Sequence, residues 1–281
     1  MWVKNFALAD GETVYLKANY KDRKWRVKYD ANGGEGEMAP QTFFYGGEPD
    51  ALTACGFTRT GYQFAGWATT AGGLVVYTDQ QPVKDLTQDH LHFVDLYAVW
   101  TPNTYTITLV DTIIDEISGE GGQGSVTATY DAVLPTLTKV PSKAGYTFLG
   151  YGIASFNGST YSPILYYDAN GTAVDGKKFD DSLLLVNEFR SIWKKNVAVP
   201  VGKTLTYNGA LQTGVDASSE GDYTLSGHQQ TAAGPYTATA TLVQPTVTAA
   251  LGLVERKWSD GGTTEAKSVS WSIAPKTPAS L

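Results

Sequence analysis

Cysteine is almost absent from this chain, and Cys55 is the only one in its 281 residues. No intrachain disulfide can therefore form, and zinc or iron–sulfur sites built from several thiolates are excluded. No stretch approaches the ~20 apolar residues that a membrane helix needs, and no signal peptide is visible. We therefore expect no membrane insertion of this segment, and its location has to be inferred from the kind of module it contains.

Methionine is also scarce, with two residues, whereas the chain has 17 Tyr, 7 Trp and 10 Phe. Aromatic side chains pack well on pleated surfaces, so this composition favours β-structure over helical bundles. The 30 Gly and 12 Pro suit many tight turns without reaching the proportion typical of disorder. The length predicts two or three domains, each able to bury its own core.

The charge balance is acidic, with a net charge of −7 and a pI near 5.0, which disfavours nucleic acid as a partner. One local exception is a basic cluster near the start of the chain. It predicts either a surface that binds polyanions or the solvent face of a strand, and its alternation with Val27 and Tyr29 favours the strand. The cluster comprises Lys17, Lys21, Arg23, Lys24, Arg26 and Lys28.

One aromatic motif occurs twice, at residues 61–67 and 145–151. Both copies have the pattern Gly-Tyr-x-Phe-x-Gly-aromatic. The recurrence of one pattern at two places in the chain indicates that one folding unit was copied. Each unit also ends on a strand that contains a tryptophan, Trp100 or Trp193. We expect Gly66 to bend or bulge its strand and so to redirect Trp67.

The two ends of the chain differ from these copies. Residues 3–20 align without gaps on residues 83–100, so we expect residues 1–22 to be the end of a preceding repeat in a longer array. Residues 197–281 lack the motif and carry short alternating strands separated by turn formers, which is typical of a sandwich. Trp258 and Trp271 are its predicted core rings.

Residues 25–103 resemble the Listeria–Bacteroides repeat, a module of bacterial surface proteins related to the B repeat of internalin-type proteins. Residues 104–196 look like a diverged copy that lacks Asp-Ala-Asn-Gly-Gly and has Tyr151 and Ser191 in place of Trp67 and Ala98. Residues 197–281 resemble bacterial Ig-like modules. The matching residues of the first repeat are Tyr29–Gly34, Thr58–Thr70 and Leu96–Trp100.

The resemblance implies a mainly β chain: tandem β-grasp-like repeats, with little or no helix, followed by an Ig-like β-sandwich. It also implies an exported bacterial protein, placed outside the cell or on the cell surface, and a monomer within a longer chain. The predicted domains are 1–22 (the remnant of a preceding repeat), 23–103 (repeat one), 104–196 (repeat two, with insertions) and 197–281 (the sandwich).

No catalytic constellation stands out in the sequence. Cys55 has no histidine nearby, and His228 lies in a turn-like segment. His90 and His92 could hold a metal but fit a solvated strand face better. The turns that start at Asp30 and Asp168 resemble a calcium loop without its acidic twelfth residue, and we expect hairpin turns there. The sequence thus predicts no catalytic, cofactor-binding or metal site.

The rings shared by the copies are predicted to be core residues, because the module itself repeats them. Tyr161, Tyr166 and Tyr167 lie in an insertion of repeat two, and they are the predicted ligand contacts. The sequence thus predicts a non-catalytic stalk or spacer of an adhesin, with a possible protein or glycan ligand. The alternative is a carbohydrate- or mucin-binding module that uses this insertion.

Overall fold

The computed structural model describes residues 23–113, 117–156, 161–245 and 253–277. These residues are mainly strand, and the helical elements among them are two 3-10 turns, Val174–Gly176 and Asp181–Leu183. The predicted mainly β fold class is confirmed. No described helix has the length and apolar character to cross a membrane. The predicted repeat remnant at residues 1–22 lies outside the described residues.

The chain divides into two compact units, Met1–Asn103 and Thr104–Leu281. The described part of the first unit has six strands: β1 (Lys24–Asp30), β2 (Gln41–Phe44), β3 (Asp50–Ala51), β4 (Tyr62–Ala68), β5 (Pro82–Val83) and β6 (Phe93–Pro102). Four of them form a sheet in the order β2-β1-β6-β4, while β3 pairs with β5. β1 is antiparallel to β2 and parallel to β6, and β6 is antiparallel to β4.

The core of the first unit lies on one face of this sheet. Trp25, Val27 and Tyr29 alternate along β1 and are buried, as the period of a strand requires. Trp25 stacks on Phe43 of β2 with ring centroids 4.3 Å apart. Trp67 of β4 is fully buried in the same core. The intervening residues of β1 therefore lie on the opposite, solvent-facing side.

The second unit begins with seven strands: β7 (Thr104–Val110), β8 (Thr112–Ile113), β9 (Ile117–Ser118), β10 (Ser125–Thr129), β11 (Tyr146–Phe156), β12 (Tyr161–Asp168) and β13 (Glu188–Val197). Five of them form a sheet in the order β10-β7-β13-β11-β12. β7 is antiparallel to β10 and parallel to β13, and β13 is antiparallel to β11. Within this sheet, β10-β7-β13-β11 has the same strand order and relative strand directions as β2-β1-β6-β4 in the first unit.

The rest of the second unit has seven more strands: β14 (Thr204–Thr206), β15 (Gln212–Thr213), β16 (Tyr223–Ser226), β17 (Gln229–Gln230), β18 (Gly234–Leu242), β19 (Leu253–Trp258) and β20 (Lys267–Ala274). Six of them form a sheet in the order β14-β20-β18-β16 and a pair, β15–β17. Trp258 and Trp271 are buried, as predicted. Residues 246–248, which belong to the predicted sandwich, lie outside the described residues.

One strand, β19, pairs with the preceding sheet. It lies parallel to β13, with Leu253 opposite Trp193 and Trp258 opposite Val197. Residues 104–197 and the segment that follows them therefore share a hydrogen-bonded sheet. The predicted domain limits, including the one at residue 197, stay predictions.

Candidate functional site

The Asp-Ala-Asn-Gly-Gly motif forms a tight turn after β1. The Oδ1 atom of Asp30 accepts a hydrogen bond from the backbone N–H of Asn32 at 2.7 Å. Asn32 has a positive φ of 46°, a conformation that asparagine tolerates better than most residues. Its side-chain amide donates to the carbonyl oxygen of Ala98 at 2.8 Å. The motif thus ties the end of β1 to β6.

Trp100 of β6 packs against the same turn. Its indole N–H donates to the carbonyl oxygen of Ala31 at 2.9 Å. A Cβ added to Gly34 would lie 2.5 Å from Cζ2 of Trp100, so the ring leaves room for glycine alone. Phe64 of β4 meets the other side of Trp100 edge-on, with ring centroids 5.8 Å apart. The motif residues and the terminal Trp are one packing unit.

Gly66 forms the predicted bulge in β4. The pairing register with β6 shifts between Phe64 and Gly66, and Gly66 has a φ of 144°. A Cβ at this position would lie 2.6 Å from the carbonyl oxygen of Tyr77. The bulge changes the side of the strand to which the next side chain points. Trp67 therefore enters the core and is fully buried.

The second copy of the motif forms the same kind of bulge. The register between β11 and β13 shifts between Phe148 and Gly150, and Gly150 has a φ of 141°. Tyr151 then points into the interior and is fully buried, where its hydroxyl donates to Oδ1 of Asp111. Burial, and then this hydrogen bond and the Asp111 charge, raise the pKa of Tyr151.

Ser191 is a buried hydrogen-bond acceptor, a role that sequence reasoning did not identify. Its Oγ accepts a hydrogen bond from the indole N–H of Trp193 at 2.8 Å, and both residues are fully buried. Gly119 packs against this ring, since an added Cβ would lie 2.8 Å from Cζ2 of Trp193. Ser191 stands where the first copy has Ala98. This difference between the copies was the signal in the sequence that could have indicated a special role for Ser191.

The three predicted ligand tyrosines lie in β12. Tyr166 stacks on Phe189 with ring centroids 4.7 Å apart, and Tyr167 meets the same ring edge-on at 6.2 Å. The register of β12 against β11 skips Tyr166, so two consecutive rings can both be buried. The side chain of Tyr161 lies outside what the structure describes. The rings of Tyr166 and Tyr167 therefore lie in the interior. Ligand binding by the three tyrosines stays a prediction.

Cys55 is a partly buried thiol. Its Sγ lies 3.9 Å from the carbonyl oxygen of Phe57. Burial raises the pKa of Cys55, and the nearby Asp79 charge raises it further. A nucleophilic cysteine needs the opposite shift, because the thiolate is the reactive form.

The histidines also lack a shared geometry that suggests chemistry. His90 and His92 are exposed, and Nδ1 of His90 accepts the backbone N–H of Lys24 at 3.2 Å. Asp168 accepts the backbone N–H groups of Asn170 and Thr172, each at 2.9 Å, so it forms a turn as predicted. Among the described residues, no group of three or more His, Cys, Asp or Glu side chains is placed to hold a metal.

A buried carboxylate joins the two parts of the second unit. Asp222, which is 7% exposed, accepts hydrogen bonds from Nζ of Lys195 at 2.7 and 2.8 Å. It also accepts from Nε of Arg256 at 2.9 Å. Lys195 belongs to β13, Arg256 to β19, and Asp222 precedes β16. We call these three side chains the Asp222 junction.

The Asp222 junction has a charge environment that favours its ion pairs. Burial of Lys195 lowers its pKa, but hydrogen bonds to Asp222 and Glu220 outweigh that effect and raise the pKa. Arg256 is also fixed by donating to the carbonyl oxygen of Val243 at 2.7 Å. Two cations from neighbouring strands therefore share one carboxylate.

Apolar packing surrounds the same region. Trp258, at the end of β19, is fully buried with Val197, Ala240 and Leu242. Its indole N–H donates to the carbonyl oxygen of Glu265 at 2.7 Å. The backbone N–H of Ser259 donates to the carbonyl oxygen of Val197 at 2.9 Å. The end of β13 is thus held by ladder hydrogen bonds, ion pairs and a buried ring.

Comparison with protein families identifies one segment of the chain. Residues 25–98 match the Listeria–Bacteroides repeat domain. These domains occur in bacterial surface proteins, and the match indicates a surface-associated repeat module. The matched segment covers β1 to β5 and most of β6, including the Asp30 turn and the Gly66 bulge. No solved structure matches the chain at a significant level.

Proposed function

We propose that this chain is a non-catalytic segment of a bacterial cell-surface or secreted protein, and that it acts as an adhesin stalk or spacer. In this proposal residues 23–103 and 104–196 are tandem β-grasp-like repeats, and residues 197–281 form an Ig-like domain. Its partners would be a protein or glycan on a host or matrix surface, reached from a longer chain.

The matching sheets support the tandem arrangement. Both sheets place a parallel pair at the centre, β1 with β6 and β7 with β13, and add an antiparallel strand on each side. Both also carry a glycine bulge directly before a buried ring, with φ values of 144° and 141°. A bulge at the same place in the same strand order is expected when one unit was copied.

The observation that carries the spacer role is the connection between β13 and β19. A spacer has to resist bending where one module meets the next. Here the strands pair directly, and the Asp222 junction adds ion pairs from both strands to one buried carboxylate. Deforming this connection would break ladder hydrogen bonds and leave the carboxylate without its cations, which is costly.

Two observations support a non-catalytic role. Trp67, Tyr151 and Trp193 are fully buried, so three of the motif rings are packing residues. The raised pKa of Cys55 keeps its thiol protonated at neutral pH. We therefore propose binding and spacing as the functions of the chain.

Small-angle X-ray scattering of the whole chain tests the spacer role. We expect an elongated particle whose distance distribution broadens in the Asp222→Ala variant, because residues 104–197 and the following segment would then move more freely. Asp216→Ala is the matched control, since Asp216 forms an exposed ion pair with Lys203. A compact globular particle, or equal broadening in both variants, would contradict the proposal.

A further inference from the structure

The solvent face of the first sheet carries cations placed beside exposed rings. Lys24 is the direct cross-strand partner of Phe44, and Arg26 is the partner of Phe93. Directly paired residues share a face, and this face is opposite to the one that buries Trp25. Phe44 is 54% exposed and Phe93 is 41% exposed. Both rings are therefore accessible on a surface that also carries positive charge.

Each of these cations lies over a ring. Nζ of Lys24 lies 4.9 Å from the centroid of Phe44, and Cζ of Arg26 lies 5.5 Å from that of Phe93. We call these four residues, Lys24, Arg26, Phe44 and Phe93, the basic–aromatic face.

The cations of the basic–aromatic face are available to an anion. Among the described residues, Lys24 and Arg26 form no ion pair with a carboxylate within 4.0 Å. A cation held against a ring has already lost side-chain freedom, so binding an anion costs less entropy. Guanidinium and ammonium groups bind sulfate and carboxylate oxygens by charge-assisted hydrogen bonds.

The same sheet face becomes acidic toward its other end. Lys28 is the cross-strand partner of Asp95, and Asp30 follows at the end of β1. The binding surface is therefore limited to the end that carries Lys24 and Arg26. These two residues are two positions apart on one face of a strand, which places them ~7 Å apart along β1.

We propose that the basic–aromatic face binds a linear anionic polysaccharide. Anionic groups on the sugar chain would pair with Lys24 and Arg26. The apolar faces of its rings would pack on Phe44 and Phe93, which favours a sugar over an acidic peptide. Nucleic acid fits less well, because a charge on every nucleotide would meet the acidic remainder of a chain with a net charge of −7.

Binding of the whole 281-residue chain to immobilised dextran sulfate tests this proposal, with neutral dextran as the reference surface. We expect binding to dextran sulfate alone, weakened as salt rises from about 0.05 M to about 0.3 M. The double variant Lys24→Gln/Arg26→Gln should bind at least about tenfold more weakly, since it removes two charge-assisted contacts. The matched control, Lys139→Gln/Lys276→Gln, removes the same charge from other exposed positions and should bind like the wild type.

A second comparison separates a sugar from other polyanions. Phe44→Ser/Phe93→Ser should weaken binding to dextran sulfate by about tenfold while leaving any binding of inorganic polyphosphate unchanged. The proposal would be overturned if the Lys139→Gln/Lys276→Gln control lost as much binding as the Lys24→Gln/Arg26→Gln variant. It would also be overturned if the wild type bound neutral dextran as well as dextran sulfate, or did not bind dextran sulfate at all. Binding of polyphosphate, polyglutamate or oligothymidylate by the wild type that is as tight as its binding of dextran sulfate would overturn it too. If circular dichroism shows that a double variant is unfolded, the single exchange Lys24→Gln and the salt series of the wild type decide.

Discussion

Two tryptophans at matching strand ends, Trp100 and Trp193, satisfy their indole N–H groups in different ways. Trp100 donates to a carbonyl oxygen of the Asp30 turn. The second copy lacks that motif, and Trp193 donates instead to Ser191. A buried donor without an acceptor is destabilising, and Ser191 supplies in the second copy the acceptor that the Asp30 turn supplies in the first.

The first prediction concerns this hydrogen bond. Ser191→Ala should lower the free energy of unfolding by about 1 to 3 kcal/mol, because the Trp193 N–H would stay buried without a partner. Chemical denaturation followed by tryptophan fluorescence measures the change. The exposed Ser270→Ala exchange in β20 is the control and should change stability by less than about 0.5 kcal/mol. Equal effects would show that the hydrogen bond contributes nothing.

A second prediction concerns Tyr167, whose buried hydroxyl has no hydrogen-bond partner in the described part of the chain. Burial raises its pKa to about 12. In the unfolded chain the hydroxyl ionises near pH 10, so between about pH 10 and pH 12 ionisation favours the unfolded state. Stability should therefore fall as pH rises through that range.

The Tyr167→Phe variant should lose stability less steeply with pH than the wild type. Urea unfolding at several alkaline pH values measures the slope. Tyr207→Phe, at a position that is 40% exposed, is the comparison and should follow the wild-type slope. Parallel curves for Tyr167→Phe and the wild type would count against a buried, neutral hydroxyl.

At the scale of single elements, the glycine bulges of β4 and β11 decide which rings enter the core. Each bulge adds one residue before a buried ring, and without it Trp67 or Tyr151 would face the opposite side of its strand. The space around each glycine is filled by backbone. Gly66 lies against the carbonyl oxygen of Tyr77, and Gly150 against that of Tyr167.

The third prediction follows from this close packing. Gly66→Ala should cost about 2 to 4 kcal/mol, because its φ of 144° is almost restricted to glycine and the new Cβ would meet Tyr77. Gly72→Ala is the matched control, since Gly72 has a positive φ of 72° but open space around it. Its cost should be about 1 kcal/mol. Thermal unfolding of both variants gives the difference, and equal costs would contradict the role of Tyr77.

At the scale of the second unit, β13 pairs with strands from both segments of the unit. β13 pairs with β7 and β11 in its own sheet and with β19 from the following segment. The Asp222 junction and Trp258 lie where that pairing ends. Because these interactions involve residues far apart in the chain, they oppose independent unfolding of the two segments.

The fourth prediction tests the energy of the Asp222 junction. Asp222→Ala should destabilise the second unit by about 3 kcal/mol, since the partly buried Lys195 and Arg256 lose their shared carboxylate and Lys195 keeps only its pair with the exposed Glu220. Adding Lys195→Met should cost less than the sum of the single changes, because the two side chains interact. Asp216→Ala, which breaks an exposed pair, should cost less than about 1 kcal/mol. Chemical denaturation of Asp222→Ala, Lys195→Met, their double variant and Asp216→Ala measures this coupling. If the effects of Asp222→Ala and Lys195→Met simply add, the predicted interaction is contradicted.

Several features followed from the sequence because they depend on neighbouring residues. Strand alternation predicted that Val27 and Tyr29 of β1 lie opposite its basic residues, and both are buried, while the motif around Gly66 predicted a bulge that redirects Trp67. Turn formation at Asp30 also followed, since the side chain bonds to a backbone group two residues away. In each case the deciding interaction is local.

The sequence by itself determined that this is a mainly β chain with a bulge motif that occurs twice and directs Trp67 and Tyr151 into the interior. Tertiary structure decided that β19 pairs with β13, that Ser191 supplies the acceptor for Trp193, and that a skipped residue in β12 buries Tyr166 beside Tyr167. The physical reason is range. Propensity and alternation act over a few residues, whereas strand partners, buried acceptors and ion pairs depend on which distant edges the folded chain brings together.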